Sequence, residues 1–456
     1  MHLQEQFIKQ WRLNYPFIHP NQSHLLVAVS GGLDSCVLLH LLIKMGFACS
    51  VAHCNFNLRG EESFSDEAFV KQLAASYNVP VLVKHFDTVS AATSGKQSIQ
   101  VAARNLRYEW FNHLVNHELP HLHGKEKSYW LATAHHADDN IETVLMNIFR
   151  GTGIAGLRGM LPRQDKLIRP LLFARREELL NYAKENGLNW REDSSNASDK
   201  YSRNFFRLQV LPMINNVYPE SASNILHNIE RWRQVALVYD NAIEDGKRRI
   251  CEYRNGEIHI PVLKLQKQVS PSALLFEIVA EYGFTASQLP DLLHLLRASS
   301  GKYVQSASHR VFRNRNWLII SPLVHNEEGH ILLEREEGLV NFRGGKLTIE
   351  EVPLEKVRFG HEQTAFIDAD KIQYPLLLRK YREGDYFYPL GMPKKKKLSR
   401  FFIDNKLSLT EKESVWVLES GKKIVWVLGR RIDDRFKVTK ATSRVLKLEI
   451  RVQQLM

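Results

Sequence analysis

Two stretches of this chain carry residue types that can act on a phosphorylated substrate. The first is Ser30-Gly31-Gly32-Leu33-Asp34-Ser35, set between apolar runs at 25–29 and 36–42. The leading run shows no polar alternation and reads as a buried strand; the trailing run reads as a helix packed on a sheet. The paired glycines allow positive φ and close approach by a ligand. Free N–H groups at a helix start attract an anion. Ser30, Gly31, Gly32, Leu33, Asp34 and Ser35 therefore read as a phosphate cradle. Asp34 would set a carboxylate beside the phosphates, which makes sense where Mg²⁺ bridges them. The pattern is not Walker A, since no Gly-Lys-Ser/Thr follows, and it is not the spaced G-x-G-x-x-G fingerprint.

The second stretch is Thr133-Ala134-His135-His136-Ala137-Asp138-Asp139-Asn140-Ile141-Glu142-Thr143. Asp139 and Glu142 are three apart, so one helix face can present both. Two carboxylates there could hold Mg²⁺ or the ammonium of an amine substrate, and one could take a proton from a nucleophile. Acids at a helix start also suit its dipole. Several acid–base groups on a sheet that already bears a phosphate loop point to chemistry as well as capping.

The elements that must position these groups follow from the pattern around them. Strands are expected at 25–29, 48–53, 79–86 and 129–134, with helices at 61–77 and 97–116. Strands alternating with helices make a parallel sheet covered on both faces, an α/β class. Ligands of such sheets bind at the carboxyl ends of the strands, where both stretches lie. Further on come Arg150-Gly151-Thr152-Gly153, Arg169-Pro170-Leu171-Leu172, a helix at 175–187, Glu192-Asp193-Ser194-Ser195-Asn196 and Arg203-Asn204-Phe205-Phe206-Arg207. Arg150, Arg158, Arg163, Arg169, Arg175 and Arg176 make this region basic, suited to clamping nucleic-acid or ATP phosphates.

Length and composition bound the rest. A chain of 456 residues implies two to four domains. Apolar content of 44% and charged content of 25% are those of a soluble globular protein. A net charge of +12 calls for a polyanionic partner, most simply nucleic acid. Cys36, Cys49, Cys54 and Cys251 form no C-x-x-C pair, which argues for a reducing compartment and against a disulfide frame or zinc ribbon. Residues 1–14 read as an amphipathic helix and not a signal peptide. No stretch reaches the roughly 18 apolar residues of a membrane span.

Beyond residue 217 the pattern changes. A long helix is expected at 225–243, a turn at Asn255-Gly256, helices at 272–282 and 286–298, strands up to 320, and further strands at 325–375 with a Gly344-Gly345 turn. Between 394 and 440 there are fourteen Lys or Arg against six Asp or Glu. Basic groups interleaved with aromatics suit RNA, charges holding phosphates and rings stacking on unpaired bases. Phe401 and Phe402 read as core.

The Ser-Gly-Gly-Leu-Asp-Ser loop resembles that of the PP-loop ATP pyrophosphatases. That loop, Ala102-Ala103-Arg104-Asn105-Leu106-Arg107-Tyr108, the Thr133–Thr143 block, Arg-Gly-Thr-Gly, Arg-Pro-Leu-Leu and Glu-Asp-Ser-Ser-Asn stand in the order found in bacterial tRNA(Ile)-lysidine synthetases. The likeness covers 20–215 nearly throughout and extends through the basic C-terminal segment. It implies a Rossmann-like α/β PP-loop domain at 1–215 and two smaller mixed α+β domains, a helical linker with a small tRNA-binding domain at 216–320 and a basic tRNA-binding domain at 321–456. It also implies a cytoplasmic ligase that uses ATP and Mg²⁺ to join free L-lysine to carbon 2 of the wobble cytidine in the CAU-anticodon tRNA(Ile), through an adenylated intermediate. A homodimer is compatible with it.

By the same resemblance Asp34 and Asp139 are catalytic and hold Mg²⁺. Asp139 and Glu142 meet lysine, and Arg104 and Arg107 meet its carboxylate or a phosphate. Arg203, Arg207, Arg382, Lys394, Lys395, Lys396, Lys397 and Arg400 face tRNA. Two rivals share part of this pattern: a PP-loop tRNA thiolase, which normally needs paired cysteines, a cluster or a sulfur carrier, and a non-catalytic RNA-binding protein, which gives Asp34, His135, Asp139 and Glu142 no task.

Overall fold

The computed structural model describes residues 2–58, 60–192, 202–254, 256–323, 329–358 and 360–452. Arg59, residues 193–196, Asn255 and His325 lie outside the described residues. The chain divides into two compact units, Met1–Asp240 and Asn241–Met456.

The first unit is built on strands β1 (Ser23–Ala28), β2 (Ala48–Asn55), β3 (Val81–His85), β4 (Ser128–Ala132), β5 (Arg163–Gln164) and β6 (Leu167–Ile168). They lie in the order β3-β2-β1-β4-β6-β5. Neighbours are parallel except the terminal β5–β6 hairpin. Its helices are α1 (Leu3–Asn14), α2 (Leu33–Lys44), α3 (Glu61–Ser76), α4 (Thr88–Ser94), α5 (Ile99–His113), α6 (Leu119–His123), α7 (Ala137–Arg150), α8 (Ile154–Leu157), α9 (Arg176–Glu185), α10 (Ser202–Phe205) and α11 (Leu211–Val217), and the next helix, α12 (Ser221–Ile250), begins in this unit and ends in the second.

The unbroken apolar run of β1 is buried on both faces. Leu25 and Val27 join a core with Phe7, Trp11, Leu38, Leu42 and Leu179. Leu26, pointing the other way, joins Trp110, Phe111 and Leu131. The two-residue period of a strand makes this division.

The strand order reverses at β1, which pairs with β2 on one side and β4 on the other. A crevice opens at the carboxyl ends where the order reverses. Val27 is level with Ala132, so the loops leaving β1 and β4 start side by side.

The helix expected at 97–116 is divided: α5 runs into a π-helical turn at Leu114–Glu118 before α6. Pro120 lies in the first turn of α6, where its missing N–H breaks no helical bond.

The second unit is antiparallel. Its first sheet has the order β7-β8-β11-β10-β9, from β7 (Glu252–Arg254), β8 (Glu257–Pro261), β9 (Tyr303–Gln305), β10 (His309–Asn314) and β11 (Trp317–Pro322), with α13 (Val262–Gln266), α14 (Pro271–Ala280) and α15 (Leu289–His294). The helix expected at 286–298 is a 3₁₀ turn at Ala286–Gln288 followed by α15, with Pro290 at its start.

Next come β12 (Ile331–Leu333), β13 (Leu339–Phe342), β14 (Gly345–Val352), β15 (Thr364–Asp368), β16 (Leu376–Lys380), β17 (Tyr386–Phe387), β18 (Lys396–Lys397), α16 (Leu398–Asp404), α17 (Leu409–Ser414), β19 (Trp416–Ser420), β20 (Lys423–Val427), β21 (Arg431–Ile432) and β22 (Val445–Val452). Sheets β12-β16-β19-β20-β21 and β13-β14-β22-β15 share a core that includes Leu347, Leu378, Leu418, Trp426 and Leu448. Val417, next to Leu418, packs instead with Phe387, Leu398, Phe401 and Phe402. Phe401 and Phe402 are core, as their apolar setting requires.

Candidate active site

The phosphate loop leaves β1 with Gly31 at φ +93°, a conformation open to glycine. A Cβ at Gly31 would meet Phe69 at 3.3 Å and Val70 at 3.4 Å. Gly32 caps α2, and no side chain among the described residues caps that helix. Ser35 Oγ donates to the Gly32 carbonyl at 2.9 Å, and the Gly32 N–H reaches Ser30 Oγ at 3.3 Å. From the far side the Arg191 N–H donates to the Gly31 carbonyl at 2.9 Å. The result is a pinned loop ending in an uncapped helix start, a ready anion site.

The block after β4 begins α7 with a reciprocal cap. The His136 N–H donates to Asp139 Oδ2 at 3.1 Å, and the Asp139 N–H donates to His136 Nδ1 at 3.4 Å. With Nδ1 turned to the Asp139 N–H, the ring's second nitrogen, Nε2, faces the site. That nitrogen lies 3.7 Å from Asp34 Oδ2 and 3.5 Å from Asp139 Oδ2. One buried imidazole thus faces the carboxylates of both stretches, which are more than a hundred residues apart in the chain.

Burial pushes the Asp34 carboxyl above its ordinary range, opposed by His136 and Arg176 and reinforced by the Asp139 charge. Its Oδ1 is buried with no hydrogen-bond partner among the described residues. Burial acts on Asp139 in the same sense, but His136, His135, Arg203 and the His136 N–H outweigh it and hold that carboxyl below its ordinary range. His135 hydrogen-bonds Thr133 Oγ1 through Nδ1 at 3.0 Å. Burial first, with Arg169, Arg203 and Arg104 adding to it, pulls its pKa down to about 4. The ring is neutral at physiological pH.

Arg203 and Arg207, expected to face tRNA, have other partners here. Arg207 Nε donates to Glu142 Oε1 at 2.6 Å, and Nη2 reaches Glu142 Oε2 and Asp139 Oδ1 at 3.2 Å each. Arg203 Nη2 donates to Thr143 Oγ1 at 2.6 Å, and its Nε lies 3.4 Å from Glu142 Oε2. Burial works against the charge on Arg207, but Glu142, Asp139 and Asp34 outweigh it and raise its pKa. Burial pushes Glu142 up while Arg207 opposes; the short, forked contact favours the ionic pair. The match of an i,i+4 arginine pair to an i,i+3 carboxylate pair was present in the sequence and could have revealed this cluster.

Asp138 does a separate job. Its Oδ1 accepts from Arg175 Nε at 2.6 Å and its Oδ2 from the Arg176 N–H at 2.8 Å, so it fixes the start of α9. Arg104 and Arg107 are exposed on α5, lying over the rings of Tyr108 and Phe56. Of the remaining basic residues assigned to tRNA, Arg382, Lys394, Lys395, Lys397 and Arg400 are exposed. Lys396 and Arg400 pair with Asp404 at 2.7 and 3.2 Å.

Three family models match in chain order: a PP-loop domain over 3–214, a TilS substrate binding domain over 253–323 and a TilS substrate C-terminal domain over 376–450. A tRNA(Ile)-lysidine synthase from Parabacteroides distasonis is 40% identical over 428 residues, covering 92% of this chain and 94% of the relative. This chain belongs to the tRNA(Ile)-lysidine synthase family.

A tRNA(Ile)-lysidine synthase from Bacteroides thetaiotaomicron is 37% identical, covering 93% of this chain and 95% of its own. Another from Caldanaerobacter subterraneus is 31% identical, covering 93% of each. Burial pushes the Cys36, Cys49 and Cys54 thiols up to about 12 and the Cys251 thiol up to about 11.

Proposed function

We propose that this chain joins L-lysine to carbon 2 of the wobble cytidine in the CAU-anticodon tRNA(Ile), using ATP. The first step is attack by the cytidine O2 on the α-phosphorus, with pyrophosphate leaving. The second is attack by the lysine ε-amine on carbon 2, with AMP leaving. The observation that carries the reading is the meeting of Asp34 and Asp139 at His136 Nε2, beside the uncapped start of α2.

Residues 30–35 would hold the triphosphate through backbone N–H groups. Asp139, favoured in its charged form, would hold the lysine ammonium and receive the proton that the amine must lose before it attacks. Glu142, tied to Arg207, would help to position lysine. Arg104 and Arg107 are available for the lysine carboxylate. The unpartnered Asp34 Oδ1 beside Asp139 fits Mg²⁺, which binds through one or two carboxylates plus substrate phosphates. When bound, the ion would neutralise phosphate charge that opposes attack.

Discrimination against another tRNA with the same anticodon needs contacts outside it. The exposed Lys394, Lys395 and Lys397 suit that task. No helix among the described residues is long and apolar enough to cross a membrane. The tRNA substrate and the free cysteines fit a cytoplasmic enzyme.

Incubation with Mg²⁺, α-labelled ATP and total tRNA tests the reading. Release of AMP should require both tRNA and lysine. Release that ignores lysine, or that needs a sulfur donor, would contradict it.

A further inference from the structure

A bound ATP brings about four negative charges, yet residues 30–35 contain no lysine or arginine and include Asp34. Mg²⁺ and backbone N–H groups offset part of that charge, and a side-chain cation from elsewhere in the fold would offset more. The structure removes most of the nearby candidates. Arg207 and Arg203 lie on Glu142. Arg175 lies on Asp138, and Arg191 on Asp66 at 2.5 Å. Arg169 is buried and donates to the Leu161 carbonyl at 2.8 Å. Arg104 and Arg107, over aromatic rings on α5, are the pair given above to the lysine carboxylate.

Arg176 remains. Its N–H is held by Asp138 Oδ2, the oxygen 3.6 Å from His136 Nδ1, and the same ring reaches Asp34 through Nε2. A second tie, from the Ala137 N–H to the Ala174 carbonyl at 2.8 Å, binds the approach to α9 to the start of α7. Arg176 is exposed, and its guanidinium has neither a hydrogen-bond nor an ion-pair partner among the described residues. Its charge is among those that lower the Asp34 pKa against burial.

We infer that Arg176 binds the β- and γ-phosphates of ATP and steadies the departing pyrophosphate, with Asp138 as the positioning residue that holds α9 in place. This assignment rests on the ATP site proposed above. A guanidinium suits the task because its fork matches two phosphate oxygens at once and stays charged at any working pH.

Nucleotide titration of the full chain with Mg²⁺ tests it. In Arg176→Ala the ATP dissociation constant should rise roughly 10- to 100-fold, the loss expected for one charge-assisted contact. AMP, which lacks the β- and γ-phosphates, should bind as in the parent, and pyrophosphate should compete with ATP less well. Arg176→Gln, which keeps the stem of the side chain, should show the same split. Unchanged ATP affinity in either folded variant, or an equal loss for AMP, would overturn the assignment. Failure of the unaltered chain to bind ATP would instead remove the phosphate-loop reading, and this one with it.

Discussion

At the scale of single residues, the site is a set of carboxylates each kept in a different state by its neighbours. Asp139 is favoured as an anion, whereas Asp34 has a buried oxygen awaiting a partner. Asp34→Asn or Asp139→Asn should abolish lysine incorporation while a filter-binding assay shows tRNA affinity retained. Loss of tRNA binding in a folded Asp139→Asn protein would contradict its role. Glu142 is fully buried against Arg207. Arg207→Ala should therefore cost roughly 3 kcal/mol in urea unfolding, because a buried charge loses its partner. Combining it with Glu142→Gln should recover part of that loss, a coupling visible in a double-mutant cycle.

His24 supplies a pH prediction away from the chemistry. It bonds Ser50 Oγ at 2.8 Å, and burial lowers its pKa from 6.5 to about 4. The unfolded chain then binds more protons than the folded one between those values. The stability His24 contributes is present above pH 6.5 and is lost as pH falls toward 4. His24→Gln should flatten the stability profile in that window alone.

At the scale of elements, the sheet decides what meets what. β1 and β4 are neighbours at the point of reversal, and their level register carries two distant loops to one crevice. The strands and the two loops were legible in the sequence because buried parallel strands are continuous apolar runs and glycine pairs mark the loop. The division of the 97–116 helix was less legible, since periodicity does not show where a π turn intrudes. The arginine–carboxylate cluster was half legible: the spacing of Arg203 and Arg207 matches that of Asp139 and Glu142, but a basic residue looks the same whether it faces RNA or a buried acid, and the packing of α10 and the turn after it against α7 decides between them. Gly31→Ala tests the loop as an element. Its positive φ and the nearby Phe69 ring should add about 1–2 kcal/mol of strain, read as weaker ATP binding with α2 intact by circular dichroism.

At the scale of the whole molecule, charge is unevenly distributed. The segment 394–440 carries a surplus of eight positive charges, and the chain as a whole carries twelve. The structure divides its basic face into paired and free members: Lys396 and Arg400 share Asp404, while Lys394, Lys395 and Lys397 have no ion pair among the described residues. Neutralising those three together should weaken tRNA binding and flatten its dependence on salt, because fewer counterions leave the phosphates. ATP affinity should not change. An unaltered salt slope would show that tRNA lies elsewhere.

The most direct test of the account follows label from ATP into RNA. With Mg²⁺, α-labelled ATP and the CAU-anticodon tRNA(Ile) but no lysine, the chain should leave AMP covalently attached to the tRNA, and adding lysine should release it. Asp34→Asn should give no labelled tRNA. Label that never enters the tRNA, or leaves it at the same rate without lysine, would contradict a site in which one pair of carboxylates serves both steps.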